Sequence, residues 1–121
     1  MQQKKTLVIG ASENPERYSN KAIHMLRGHN HEVVAIGNRE GQVEDVTFGK
    51  DKTAFEGINT VTLYINPQRQ PEYYDYILSL KPERIIFNPG TENAELEAMA
   101  EAKGIQPVEA CTLVLLTTGQ Y

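Results

Sequence analysis

Short runs of apolar, mostly β-branched residues recur along this chain, and the segments between them carry helical spacing. That alternation constrains the fold more than any other feature, because neighbouring parallel strands need a crossover, usually helical, to connect them. Lys5–Gly10, Glu32–Gly37, Thr60–Ile65 and Arg84–Phe87 read as buried strands, and Gln106–Val108 as a short last one. These runs lack the polar alternation of a half-exposed strand, so both sheet faces need cover. Between them, residues 19 to 29 read as a helix with Ala22, Ile23 and Leu26 on one stripe and Ser19 as its N-cap. Asn30 or Gly28 would end it. Asn38 to Gly57 reads as a meander with one or two short edge strands. Pro71 opens a helix carrying Tyr73, Ile77 and Leu80, which Lys81-Pro82 ends. Thr91 would cap a further helix with Glu92 and Glu95 in its first turn, Leu96, Met99 and Ala100 facing inward, and Lys103-Gly104 closing it. The expected fold is a single doubly wound α/β domain over residues 1–121. Its sheet would be mostly parallel and five- or six-stranded, with right-handed crossovers and helices on both faces.

Composition narrows the function. A chain of 121 residues, 40% hydrophobic and 23% charged, has ordinary globular usage, which argues against a disordered tail or a fibrous repeat. No run approaches the ~20 apolar residues of a membrane helix. Met1 to Lys5 leads straight into the first strand without an apolar stretch, so a cleaved export signal is not expected. The single cysteine, Cys111, excludes an internal disulfide and fits a reducing cytoplasm. A net charge of −4 argues against a nucleic-acid binder. Residues 1–39 nevertheless hold six bases against three acids, which makes that part the place to search for an anionic ligand. His24, His29 and His31 lack ligand spacing with an acid and read as solvated surface, as do Glu92, Glu95, Glu97 and Glu101. Tyr73, Tyr74 and Tyr76 read as helix packing and rim. The apolar run Leu113–Leu116 needs covering, by the domain itself or by a second copy.

In a doubly wound sheet, ligands bind beyond the carboxyl ends of the strands, where strand order reverses. That rule selects the loops after each strand. In the first, Gly10 permits a tight turn, the small Ala11 and Ser12 let backbone approach a phosphate, and Lys21 adds a positive charge. The dinucleotide fingerprint G-x-G-x-x-G is absent, since position 12 is Ser. After the second strand, Gly37-Asn38-Arg39 offers close approach and a cation for a phosphate.

Together these loops resemble the CoA-binding domain family, the small Rossmann-like module also found at the N-terminus of the succinyl-CoA synthetase alpha subunit. Val8-Ile9-Gly10-Ala11-Ser12 with Asn14-Pro15 is similar to that family's opening strand and GAS-x-x-P turn, and Ser19 and Lys21 follow in place. Ile65-Asn66-Pro67 with Pro71 resembles its proline-marked loop, Gly90-Thr91-Glu92-Asn93 its later glycine turn, and Glu109-Ala110-Cys111 its acid-x-Cys ending. The resemblance covers about residues 5–113. The chain departs from the family pattern at Ile36-Gly37-Asn38, at Ile65-Asn66, where basic residues are common, and at Asn88-Pro89.

The resemblance implies binding of coenzyme A or an acyl-CoA by a cytoplasmic, non-catalytic module. The diphosphate would lie near Ser12, Lys21 and Arg39, with the pantetheine arm over Asn66 and Asn88, and with Ile65, Pro67, Pro89 and Gly90 among the binding residues. Pro15 and Ser19 would complete the first turn, and Gly37 and Asn38 the second. Cys111 reads first as a small packing residue, with a mixed disulfide to the coenzyme thiol as the alternative. The competing function is a small NADP-dependent reductase or a nucleotide-binding subunit of one, which Arg39 favours and the missing fingerprint disfavours. A phospho-receiver domain would need acidic residues at strand ends where this chain has Gly10-Ala11-Ser12 and Ile65-Asn66.

Overall fold

A computed structural model describes residues 3–121. Met1 and Gln2, the head of the segment read as leader-free, lie outside the described residues. The chain runs β1 (Thr6–Ala11), α1 (Tyr18–Gly28), β2 (Val33–Gly37), β3 (Gly41–Val43), β4 (Val46–Phe48) and β5 (Thr60–Leu63). A 3-10 turn (Gln70–Tyr73) then leads into α2 (Tyr74–Ser79), β6 (Arg84–Phe87), α3 (Ala94–Ala102), β7 (Gln106–Glu109) and α4 (Thr112–Thr117). Five strands pair in parallel in the order β2-β1-β5-β6-β7. The fold is therefore the expected α/β, Rossmann-like one.

The strands lack alternation because they serve two cores. Leu7 and Ile9 of β1, with Ile85 and Phe87 of β6, pack against Ile77 of α2 and Leu96 and Ala100 of α3. Val8 and Ile86 point the other way, to Ile23 and Leu26 of α1 and Leu116 of α4. Pro107 is tolerated in β7 because that strand is the sheet edge. The opposite edge, β2, is shielded where Gly49 accepts from the Gly37 amide. The β3–β4 hairpin pairs only with itself, so the broken stretch after Asn38 adds no sixth strand.

Several ends differ from the sequence expectation. Helix α1 starts at Tyr18 with Arg17 in the cap position, so Ser19 lies inside the first turn, buried. At the other end Asn30, at φ +65°, is the stop rather than Gly28. Its amide reaches Arg27 O, and the His31 amide reaches Leu26 O, which satisfies two end carbonyls. Thr91 does not cap α3, because its hydroxyl donates to the Asn88 carbonyl. Asn93 is the cap, its Oδ1 accepting from the amides of Glu95 and Leu96, and Glu92 falls outside the helix. The residues after Cys111 form α4, which buries Leu116 while leaving Val114 exposed.

Sequence spacing suggests three solvated histidines, yet His31 is fully buried. Its Nδ1 accepts from the Lys4 amide at 2.9 Å, and its ring tilts against Tyr121. Burial first, and then repulsion from any positive charge on the neighbouring His29, Lys4 and Arg84, holds its pKa below the ordinary value. An unfolded chain therefore binds a proton that the folded chain resists. That contribution is present above about pH 6.5 and is lost as pH falls below it. Urea melts at pH 7.5 and 5.5 should show an acid loss of stability that shrinks in His31→Asn. An equal loss in both proteins would assign the pH dependence elsewhere.

Candidate functional site

From β1 the chain passes to β2 on one side and returns as β5 on the other. Strand order reverses there, and a crevice opens beyond the carboxyl ends. A cleft of about 500 Å³ occupies this point. Gly10, Ala11 and Ser12 line it from β1, Asn38 and Arg39 from the loop after β2, and Tyr64, Ile65 and Arg69 from the loop after β5. Glu13, Asn14, Arg17 and Ser19 complete the wall toward α1.

Gly10 has a φ of +100°, which disfavours any side chain, and a Cβ there would lie 2.9 Å from the Tyr64 carbonyl oxygen. The turn thus needs glycine twice, for its backbone and for the close passage of β5. Beyond it the loop is held by its own side chains. The Ser12 hydroxyl accepts from the Asn14 amide, leaving its O–H to donate, and Asn14 Oδ1 accepts from the Glu16 amide. Buried Asn20 donates to the Ser12 carbonyl, which fastens the turn to α1.

Helix α1 has no side-chain cap and no acid in its first turn, so its positive end is left for an external anion. Among the described residues the ion pairs are Lys5–Glu32 and Arg27–Asp45, with a His24–Glu44 hydrogen bond beside them, and none of these involves Arg17, Arg39 or Arg69. Three guanidinium groups without a carboxylate partner among the described residues therefore meet in one cleft of an acidic chain. The one carboxylate in the wall, Glu13, accepts from the Gln42 amide at 2.8 Å. Tyr64 turns its hydroxyl into the interior toward Thr112 and Thr62, and burial raises its pKa well above the phenol range. Among the described residues no cluster of three His, Cys, Asp or Glu side chains comes together to hold a metal. The cleft's means are donors and cations, suited to holding phosphates.

Of the residues expected from sequence, Gly10, Ala11, Ser12, Ser19, Asn38, Arg39 and Ile65 meet in the cleft. Lys21 does not line it. Its ammonium lies 5.5 Å from the centre of the Tyr18 ring, and Arg17 stands at the helix start instead. Gly37 is buried under the Ala11 carbonyl and the Phe48 ring, which a Cβ would meet at 2.6 and 3.0 Å. Its missing side chain admits protein rather than ligand. Pro15 is an exposed loop residue, and Asn66 and Pro67 build the turn that presents Arg69.

Pro89 and Gly90 are exposed beyond β6 and outside the cleft wall. Asn88 is buried. It donates to Thr62 Oγ1 and the Leu63 carbonyl and accepts from the Thr112 amide. Cys111, half-buried ahead of α4, makes no capping bond and does not line the cleft. A second polar post went unread in sequence. Buried Gln70 donates to the carbonyls of Ile65 and Thr91, and accepts from Asn93. It ties the loop after β5 to the loop after β6. Arg17 and Arg69 were likewise hidden, and their only sequence signal is position, one beside a helix start and one beyond a strand-ending proline.

Comparison with known proteins supplies the family and the fold. Residues 4–117 match the family described as CoA binding domain. A crystal structure of an uncharacterized protein is 49% identical, with 100% of both chains covered and a TM-score of 0.97. Cell-free ID.343 from Thermus thermophilus is 17% identical over 98% of this chain and 91% of its own, with a TM-score of 0.85. A hypothetical protein from Pyrococcus horikoshii OT3 is 23% identical over 93% and 81%, with a TM-score of 0.81. The last two show the fold alone. A comparison with curated proteins found no match.

Proposed function

The chain belongs to the CoA binding domain family, and on that premise we propose that it binds coenzyme A or an acyl-CoA in the β1–β5 cleft without catalysing a reaction itself. The observation that carries this reading is the meeting, at the strand-order reversal, of an uncapped helix start with three arginines that have no carboxylate partner among the described residues. The diphosphate sits against Ser12, the first turn of α1 and Arg17. Arg39 and Arg69 stand across the cleft for further phosphate, and Tyr64 and Ile65 offer apolar contact to the rest of the ligand. We place this activity in the cytoplasm. Among the described residues no helix is long and apolar enough to cross a membrane.

A thermal-shift panel tests the reading with coenzyme A, acetyl-CoA, NAD and NADP at millimolar concentration. A ligand at 100 times its dissociation constant adds about 2.7 kcal/mol of stability. A shift with coenzyme A and none with NADP is the expected result, and the reverse overturns the assignment in favour of a reductase-type site. Titration of variants should follow the geometry. Arg17→Ala and Arg39→Ala each weaken binding by about 1–3 kcal/mol, the range of a lost charge-assisted bond. Lys21→Ala weakens it less than either.

A further inference from the structure

We infer that Arg69 is the residue by which this cleft selects a nucleotide carrying a phosphate on its ribose in addition to a diphosphate. This rests on the binding reading above and adds a selectivity to it, together with the group that enforces it.

Local chemistry presents Arg69 to the cleft. Its amide donates to both the carbonyl and the Oδ1 of Asn66 at 3.0 Å, closing a turn in which Pro67 limits the backbone. From there its Nη2 donates to Asn38 Oδ1 at 2.7 Å. Asn38 follows β2 and Arg69 follows β5, and β1 lies between those strands. The bond therefore crosses from one side of the β1 turn to the other, as a latch on the cleft that β1 floors. Arg39, next to Asn38, also lines the cleft without a carboxylate partner among the described residues.

The latch joins a cation to a neutral amide oxygen. A phosphate is the stronger partner for a guanidinium, because it adds attraction between opposite charges and can accept two parallel N–H bonds where the amide oxygen accepts one. A ligand whose only phosphates are the diphosphate at α1 either leaves the latch across its path or breaks it without an equal replacement. A ligand with a further phosphate on the ribose brings an anion to Arg39 and Arg69, and exchanges the latch for a better bond. The difference between these two outcomes is selectivity. It arises from a residue two positions beyond the proline, on a loop whose Ile65-Asn66 carries no charge of its own.

Isothermal titration of the full chain with coenzyme A and with 3′-dephospho-CoA decides the matter, with melting curves confirming that each variant is folded. The native protein should bind coenzyme A at least about tenfold more tightly, the worth of one charge-assisted bond. Arg69→Gln should lose most of that ratio by weakening coenzyme A more than its dephospho form. Asn38→Ala, which removes the latch, should tighten the dephospho form severalfold. Equal affinities in the native protein, or an equal weakening of both ligands by Arg69→Gln, would overturn the selectivity while leaving coenzyme binding intact. If neither ligand binds the native protein, the coenzyme reading itself falls, and the selectivity with it.

Discussion

Gly10→Ala should lower the unfolding free energy by about 3 kcal/mol, within the range of left-handed backbone strain combined with overpacking. The melting temperature should fall by roughly 10 °C for a chain of this size. Two independent costs coincide at this position. The backbone sits at φ +100°, and the new Cβ would stand 2.9 Å from the Tyr64 carbonyl oxygen and 3.1 Å from Ile65 Cγ2. Neither neighbour can yield readily, because the Tyr64 amide is bonded to Ile9 O and Ile65 is buried. Gly28→Ala is the matched control. Nothing lies within 4 Å of its added Cβ, so this helical position should hold or gain stability. Differential scanning calorimetry of both variants is the measurement, and a native-like Gly10→Ala melt would show that β1 and β5 do not press together here. Relief of the clash by separating the strands would widen the cleft, so coenzyme affinity should fall along with stability.

The second large effect belongs to Asn88. Its carboxamide donates to Thr62 Oγ1 at 2.6 Å and Leu63 O at 2.8 Å, and accepts from the Thr112 amide at 2.9 Å. The last bond satisfies the first amide of α4, a task that the side chain of Cys111 in the cap position does not perform. Asn88→Ala removes all three bonds and strands buried polar groups, each costing ~1–3 kcal/mol. A loss of about 3 kcal/mol in urea unfolding is expected, with coenzyme affinity of the folded protein changing far less. Intact stability with a large loss of affinity would return Asn88 to the ligand, where the family resemblance puts it. The two measurements together separate a strut from a contact.

Gly10 and Asn88 mark what could and could not be read in the chain. Gly10 was legible because a glycine directly after a β-branched run signals a turn, whatever surrounds it. Asn88 was not, because a polar residue at a strand end looks the same whether it faces a ligand or the interior. Gly37 repeats the lesson, since its missing side chain is filled by the Ala11 carbonyl and the Phe48 ring of a hairpin that adds no strand to the main sheet. Helix starts were read one to three residues away from their observed places. Both α1 and α3 have a hydroxyl residue near the start, Ser19 and Thr91, and burial or a carbonyl partner takes each out of the cap role.

The order of the five main strands and the first three helices, the layering of both sheet faces and the place of the glycine turn after β1 follow from the sequence by itself, because they depend on periodicity and on residues adjacent in the chain. The convergence of Arg17, Arg39 and Arg69, the latch from Arg69 to Asn38 and the interior role of Asn88 were decided by tertiary structure. Each depends on β1 standing between β2 and β5, which brings together loops dozens of residues apart. Electrostatic and hydrogen-bond partners are chosen by distance through space, and that distance exists only once the sheet has formed.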